Sequence, residues 1–199
     1  MYSKFCELIK PHRDEIVKLE NFYDLHKNAE INLTAIKDKD EFYFKHYLDS
    51  IYIFRKFSFN FTTLIDVGSG GGFPGVVIAI FYSSAEIYLI ESIKKKCLFL
   101  IDAINKCNIK NVKVINDRVE NIKNLKADII TARAVDSLKN ILKYSVQLSH
   151  KNTRWIIYKG KKIDDEINEC SNFIKKNNLQ IKTERVDEPF KRTYIVISY

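Results

Sequence analysis

Five of the chain's six glycines, Gly68, Gly70, Gly71, Gly72 and Gly75, fall within eight residues directly behind the apolar run Leu64-Ile65-Asp66-Val67. One or two glycines suffice for a tight turn, so this density needs another cause. Glycine lacks Cβ and tolerates positive φ, which lets a loop bring its backbone against a ligand while the chain turns from strand into helix. Pro74 suits the start of that helix, because its missing N–H has no intrahelical partner there. The spacing separates cofactor classes. Residues 66–72 read DVGSGGG and fit DxGxGxG, whereas a dinucleotide GxGxxG beginning at Gly68 requires glycine where Phe73 stands.

From Thr63 onward, short apolar runs alternate with amphipathic segments, the pattern of an α/β fold around a largely parallel sheet. Strands are predicted at 64–67, 86–90, 112–116, 128–132 and 154–158. Two more, near 179–187 and 192–199, lie only a few residues apart around Pro189 and are expected to pair as an antiparallel hairpin. Between the second and third strands, Ile93, Cys97, Leu100, Ile101 and Ile104 recur at helical spacing and predict one apolar helix face. The first sixty residues carry Phe5, Leu8 and Ile9, then Ile16, Leu19 and Phe22, then Phe42, Phe44 and Leu48, again at helical spacing. The expected organisation is a helical N-terminal extension over 1–60 packed on a core over 61–199, the whole one compact unit, as 199 residues allow.

At the end of the second predicted strand stands Glu91, nineteen residues beyond Gly72, where doubly wound folds place a carboxylate for ribose hydroxyls. His46 lies among aromatic residues and reads as a hydrogen-bonded structural histidine rather than a proton-transfer group. Asn32-Leu33-Thr34 matches a glycosylation acceptor, but the first residues lack a secretory hydrophobic segment, so a turn is the expectation. No apolar run reaches the roughly 20 residues of a membrane span, which favours the cytoplasm. The four cysteines form no CxxC pair and no cluster with histidine, so no metal site is indicated and buried or partly buried free thiols are expected. A net charge of +8 attracts polyanions without choosing between RNA, DNA and an acidic membrane. Lys94, Lys95 and Lys96 sit about 100° apart on a helix and read as a solvated face. Lys151, Arg154, Lys159, Lys161 and Lys162 are a candidate RNA phosphate surface beside the expected crevice.

These residues together resemble the bacterial 16S rRNA guanine-N7 methyltransferase family RsmG, formerly GidB. The segments that carry the resemblance span most of the chain: residues 32–36 (NLTAI), His46 with Asp49-Ser50, 66–75 (DVGSGGGFPG), Glu91-Ser92 with Lys95-Lys96, 117–120 (DRVE), 131–134 (TARA) and Lys159-Gly160. DxGxGxG is common to many methyltransferases, whereas FPG directly behind it and this order of companions are far more specific. The resemblance implies a Rossmann-like class I S-adenosylmethionine-dependent methyltransferase, with a mostly parallel seven-stranded sheet closed by an antiparallel C-terminal hairpin. It places cofactor contacts on Gly68, Phe73, Val119, Glu120 and Arg133, to which the loop spacing adds Gly70 and the ribose position adds Glu91. The RNA-binding candidates are Arg133, Lys159 and Arg192, and Arg133 serves either the methionine carboxylate or an RNA phosphate. Two departures stand out: Glu91 replaces the family's usual Asp, and no basic tail follows Tyr199.

The implied reaction is in-line transfer of a methyl group to guanine N7, in 16S rRNA or an assembling small subunit, with no membrane partner and no obligate protein partner. N7 carries a free lone pair, so no catalytic base is expected and none is assigned. TARA stands where amine methyltransferases carry NPPY or DPPY, and no Pro-Cys pair suggests a pyrimidine nucleophile. The alternatives are a methyltransferase for another substrate, a noncatalytic RNA-binding module of the same fold and, more distantly, a nicotinamide oxidoreductase.

Overall fold

The structure, a computed structural model, describes residues 2–160 and 163–199. Lys161 and Lys162, two of the candidate phosphate contacts, lie outside the described residues. Seven strands form one sheet: β1 (Thr63–Val67), β2 (Glu86–Ile90), β3 (Val112–Ile115), β4 (Ile129–Arg133), β5 (Arg154–Lys159), β6 (Gln180–Val186) and β7 (Arg192–Ser198). Their order is β3-β2-β1-β4-β5-β7-β6. The first five run parallel, and β7 lies antiparallel to both β5 and β6. Each predicted strand is present, within one residue or so at its ends.

Strand order reverses between β1 and β4, and a crevice opens there at the carboxyl ends of the parallel strands. The alternation along β1 explains the layering. Leu64 packs into one apolar cluster with α5 (Gly75–Phe81) and α6 (Lys94–Lys106), while Ile65 and Val67 pack into another with α7 (Leu138–Ser145) and α8 (Asp164–Lys176).

The N-terminal third is helical and joins the first cluster. It comprises α1 (Tyr2–Ile9), α2 (Arg13–Lys27), α3 (Lys39–Phe42) and α4 (Asp49–Lys56), with a π-helical turn over Tyr43–Leu48. Phe5, Ile9, Leu19, Phe22, Phe42 and Leu48 are buried as their spacing predicts. Leu8 is exposed, because α1 is only two turns long and buries a single face. The face of α6 is narrower than expected: Cys97, Leu100, Ala103 and Ile104 are buried, whereas Ile93 and Ile101 are exposed. Ile101 points about 100° away from the centre of the buried stripe, at 100° per residue.

The proposed basic cluster is divided by the sheet. Lys151 and Arg154 precede or open β5 while Lys159 ends it, about 16 Å further along at 3.3 Å per residue. Among its described members only Lys159 belongs to the crevice end. Cys97, Cys107 and Cys170 are buried free thiols and Cys6 is partly buried. No helix among the described residues is long and apolar enough to cross a membrane.

Candidate functional site

The loop after β1 uses its glycines at defined points. Gly68, Gly70 and Gly72 have φ of +67°, +57° and +91°, a region costly for residues with Cβ. A Cβ on Gly68 would stand 2.7 Å from Val135 Cγ2, and one on Gly75 would stand 2.3 Å from Leu89 Cδ2. The N–H groups of Gly68 and Ser69 donate to the Ile90 carbonyl at 2.8 and 3.1 Å, binding the loop to the end of β2.

Asp66 organises this turn from below. It is buried and accepts from Thr131 Oγ1 at 2.7 Å and from the Gly75 N–H at 3.2 Å. Burial lifts its carboxyl from 3.8 to about 6, against the lowering pull of its hydrogen bonds to Thr131, Ser69 and Gly75. The Asp of DxGxGxG is therefore a brace joining β1, β4 and the start of α5.

Gly68, Val119 and Glu120 come together in a cleft of about 160 Å³ with Val67, Ile90, Ser92, Val135 and Tyr144. Its walls are mainly apolar, and Asp117, Arg118 and Glu120 supply charged groups. Glu91 does not line this cleft. Its two oxygens accept from Gly70 N–H at 2.9 Å and Ile93 N–H at 2.8 Å, so the carboxylate already holds the glycine loop. Phe73 also lies away from the cleft, buried among Phe22, His26, Phe42 and Tyr47.

A second and larger pocket, of about 650 Å³, lies between the N-terminal helices and the ends of β4, β5 and β7. All three RNA-binding candidates, Arg133, Lys159 and Arg192, line it, together with Lys45, Lys191, Phe44 and Phe190. Four of its basic groups are tied to protein partners, Lys45 among them through Glu41 Oε1 at 3.0 Å. Lys159 Nζ contacts Glu166 Oε2 and the Asp136 carbonyl, each at 2.7 Å. Arg192 grips Asp49 through Nε to Oδ1 at 2.6 Å and a terminal nitrogen to Oδ2 at 2.5 Å. Arg133 donates to Asp49 Oδ2 at 3.1 Å, to the Lys45 carbonyl at 3.3 Å and to His46 Nδ1 at 3.1 Å.

An arginine only donates, so Nδ1 of His46 is the accepting nitrogen and its Nε2–H donates to Thr34 Oγ1 at 2.7 Å. Burial, then the Arg133 charge, pushes this imidazole from 6.5 down to about 3. With its lone pair committed to Arg133, His46 is a structural residue, and Thr34 forms a local turn by accepting from Ile36 N–H at 3.1 Å.

The candidates thus separate: Gly68, Val119 and Glu120 meet at the cleft, Arg133, Lys159 and Arg192 meet at the pocket, and Gly70, Phe73 and Glu91 shape the loop behind them. Asp49 is the residue that the sequence placed in a family-like segment without giving it a role. It is buried at the pocket and carries both arginines, and its position inside the apolar run of 47–54 was the available signal.

A sheet of this order, with a glycine loop at the switch point and a braced Asp at the end of β1, defines the class I S-adenosylmethionine-dependent methyltransferase fold. Solved structures agree on the fold. A precorrin-6y C5,15-methyltransferase from Geobacter metallireducens GS-15 superimposes with a TM-score of 0.57 at 11% identity, covering 75% of this chain and 86% of that one. A ribosomal protein L11 methylase from Lactobacillus delbrueckii subsp. bulgaricus gives 0.57 at 15% identity, with 76% of each chain covered. The chain belongs to the GidB family, rRNA small subunit methyltransferase G, whose model matches residues 15–191. It is 37% identical over 168 residues to the ribosomal RNA small subunit methyltransferase G of Mycoplasma capricolum subsp. capricolum, covering 82% of this chain and 73% of that protein. The protein of the same name from Clostridium perfringens (strain 13) is 37% identical over 184 residues, covering 87% and 77%.

Proposed function

We propose that this chain transfers a methyl group from S-adenosylmethionine to N7 of a guanine in 16S rRNA, free or within an assembling small subunit in the cytoplasm. The observation that carries the reading is a shared wall. Ala134 lines the larger pocket and its neighbour Val135 lines the cleft, so consecutive residues separate the two. Ala134 has φ of +56°, an unusual conformation for a residue with Cβ, at the point where the chain passes between them.

The cleft suits the cofactor chemically. Val67, Ile90, Val119 and Val135 offer apolar walls for an adenine, and Ser92 and Glu120 offer polar partners. Its 160 Å³ falls below the roughly 300 Å³ of the smallest usual ligand pockets, so binding has to draw in the neighbouring loop. Glu91 would then reach ribose hydroxyls with the lone pairs that Gly70 and Ile93 leave over. When bound, S-adenosylmethionine supplies an electrophilic methyl group on a sulfonium.

The residues themselves orient and exclude. Guanine N7 needs no deprotonation, which agrees with a pocket whose one histidine has its lone pair bound to Arg133. Arg133 is held by residues 45–49, so contact with the methionine carboxylate or with RNA would use its remaining donors. Residues 1–60 act as an extension packed on the 61–199 core, because they supply His46 and Asp49 to the pocket.

The test is methyl transfer from labelled S-adenosylmethionine to undermethylated 16S rRNA and to small subunits, with the modified atom mapped. Methylation at a guanine N7 is the expected result. Cofactor binding without transfer to any RNA would leave a noncatalytic module, and transfer only to another substrate would reassign the enzyme.

A further inference from the structure

Asp49 is the one carboxylate among the described residues that line the larger pocket, against five basic side chains, Lys45, Arg133, Lys159, Lys191 and Arg192. Its side chain is 2% exposed and takes no part in binding directly, because both oxygens are covered by guanidinium groups. Arg192 spends Nε and one terminal nitrogen on Asp49, and its other terminal nitrogen has only a long contact, 3.4 Å, to the Lys159 carbonyl. Arg133 is more enclosed, at 13% exposure against 25% for Arg192. The carboxylate therefore sits beneath the arginines and leaves one donor edge of Arg192 available to the pocket.

The backbone at Asp49 and Ser50 is itself held by two tyrosines. Tyr194 Oη donates to its carbonyl at 3.1 Å, and Tyr158 Oη donates to the adjoining Ser50 carbonyl at 2.7 Å. Asp49 opens α4 directly after the π-helical turn that carries Lys45 and His46, so one short segment braces Arg133 at three points.

We propose that Asp49 is a positioning residue for RNA methylation: it fixes the guanidinium of Arg192, with Arg133 behind it, in one orientation toward the nucleotide and partly offsets their charge. This rests on the RNA-methyltransferase reading above. Bidentate Arg–carboxylate geometry specifies direction as well as charge, which a lone arginine or a lysine does not. Removing the carboxylate leaves an extra uncompensated positive charge and a mobile guanidinium, so nonspecific RNA binding strengthens while productive docking is lost.

The experiment uses the full chain with undermethylated small subunits as substrate and a short unstructured RNA as the nonspecific probe. Asp49→Asn is expected to bind S-adenosylmethionine within twofold of the parent, to lose tenfold or more in kcat, and to bind the probe RNA more tightly with a steeper salt dependence. Because Asp49 acts chiefly through Arg192, the losses in Asp49→Asn with Arg192→Ala are expected to combine to much less than the product of the two single losses. Should Asp49→Asn not fold, Arg192→Lys carries the test. It keeps the charge without the fork, and is expected to hold RNA while losing turnover.

Turnover at the parental rate by a folded Asp49→Asn or by Arg192→Lys would overturn the proposal, as would independent losses that multiply in the double variant. Failure of the parent to methylate any RNA, with cofactor binding intact, would instead remove the function on which the proposal rests and the proposal with it.

Discussion

The imidazole of His46 lies flat against the ring of Phe73, with centroids 4.4 Å apart and planes 9° from parallel. One ring comes from the N-terminal helical segment and the other from the glycine loop. Arg133 completes the stack, its guanidinium carbon 5.1 Å from the Phe73 centroid while it donates to His46 Nδ1. Residues 46, 73 and 133 thus tie the loop, the end of β4 and the lead-in helices into one unit between the two cavities. A second histidine makes a parallel connection, with His26 Nε2 2.8 Å from the Gly71 carbonyl.

Replacing His46 by Phe keeps the aromatic face and removes both ring hydrogen bonds. Arg133 and Thr34 then each lose a partner in a mostly buried site, at a cost of about 1–3 kcal/mol for unsatisfied groups. His46→Phe is expected to unfold at lower urea than the parent with an unchanged m-value. A midpoint equal to the parent's would show that the two hydrogen bonds add nothing.

Acid should destabilise the fold before most carboxylates titrate. Burial lowers His26 from 6.5 to about 4 and His46 from 6.5 to about 3, so the unfolded chain takes up two protons below pH 6.5 that the native chain refuses. Asp66 acts in the opposite sense: burial raises it from 3.8 to about 6, so the native chain accepts its proton first. Between pH 6 and 4 the unfolded chain holds one proton more from these three groups, and their joint contribution to stability falls by about 1.4 kcal/mol per pH unit as pH drops. Urea melts at pH 7, 6, 5 and 4.5 check this. A midpoint that stays level or rises toward pH 4.5 contradicts it.

Two glycines offer an internal control. Gly75→Ala would drive a methyl to 2.3 Å from Leu89 Cδ2 and 2.7 Å from Asp66 Oδ2, and overpacking of this kind costs about 1–3 kcal/mol. Gly160→Ala meets nothing within 4 Å and is expected to leave thermal stability unchanged or slightly raised. Melting curves of the two variants side by side should differ clearly, and equal melting temperatures would show that the loop yields freely around residue 75.

Glu91→Ala is expected to weaken S-adenosylmethionine binding by about 1–3 kcal/mol, the range for hydrogen bonds to a charged acceptor. Two causes combine in the structure: loss of a candidate ribose acceptor and release of the Gly70 and Ile93 N–H groups that shape the loop. Calorimetry on the folded variant measures the effect, and an unaltered dissociation constant would leave Glu91 with no part in cofactor binding.

What could be read in the sequence followed local physics. The strands were legible because their apolar runs end in turn residues, and the glycine loop because five glycines and one Asp in fixed order have few other uses. The π-helical turn over Tyr43–Leu48 left no signal, since its cause is tertiary: it lies where His46 and Asp49 meet Arg133 and Arg192, residues more than eighty positions away. The pairing of Glu91 with Gly70 was hidden for the same reason. Charge was the least legible property, because a lysine count does not reveal which lysines already have a carboxylate.

That distinction separates Lys159 from Lys191. Lys159 was the sequence candidate for RNA contact, yet it is 15% exposed and held by Glu166 and the Asp136 carbonyl. Lys191 lines the same pocket beside Arg192, and among the described residues it has no ion pair. A charge already matched by a carboxylate releases few counterions on meeting a phosphate, while an unmatched one contributes nearly its full share to the salt slope. Lys191→Ala is therefore expected to lower the slope of log affinity against log salt for 16S rRNA fragments by about 0.7 and to leave stability near that of the parent. Lys159→Ala is expected to reduce stability through the abandoned Glu166 while changing the slope less. RNA titrations at four or five salt concentrations decide between them, and a larger slope change in Lys159→Ala would mean that its pair with Glu166 opens when RNA binds.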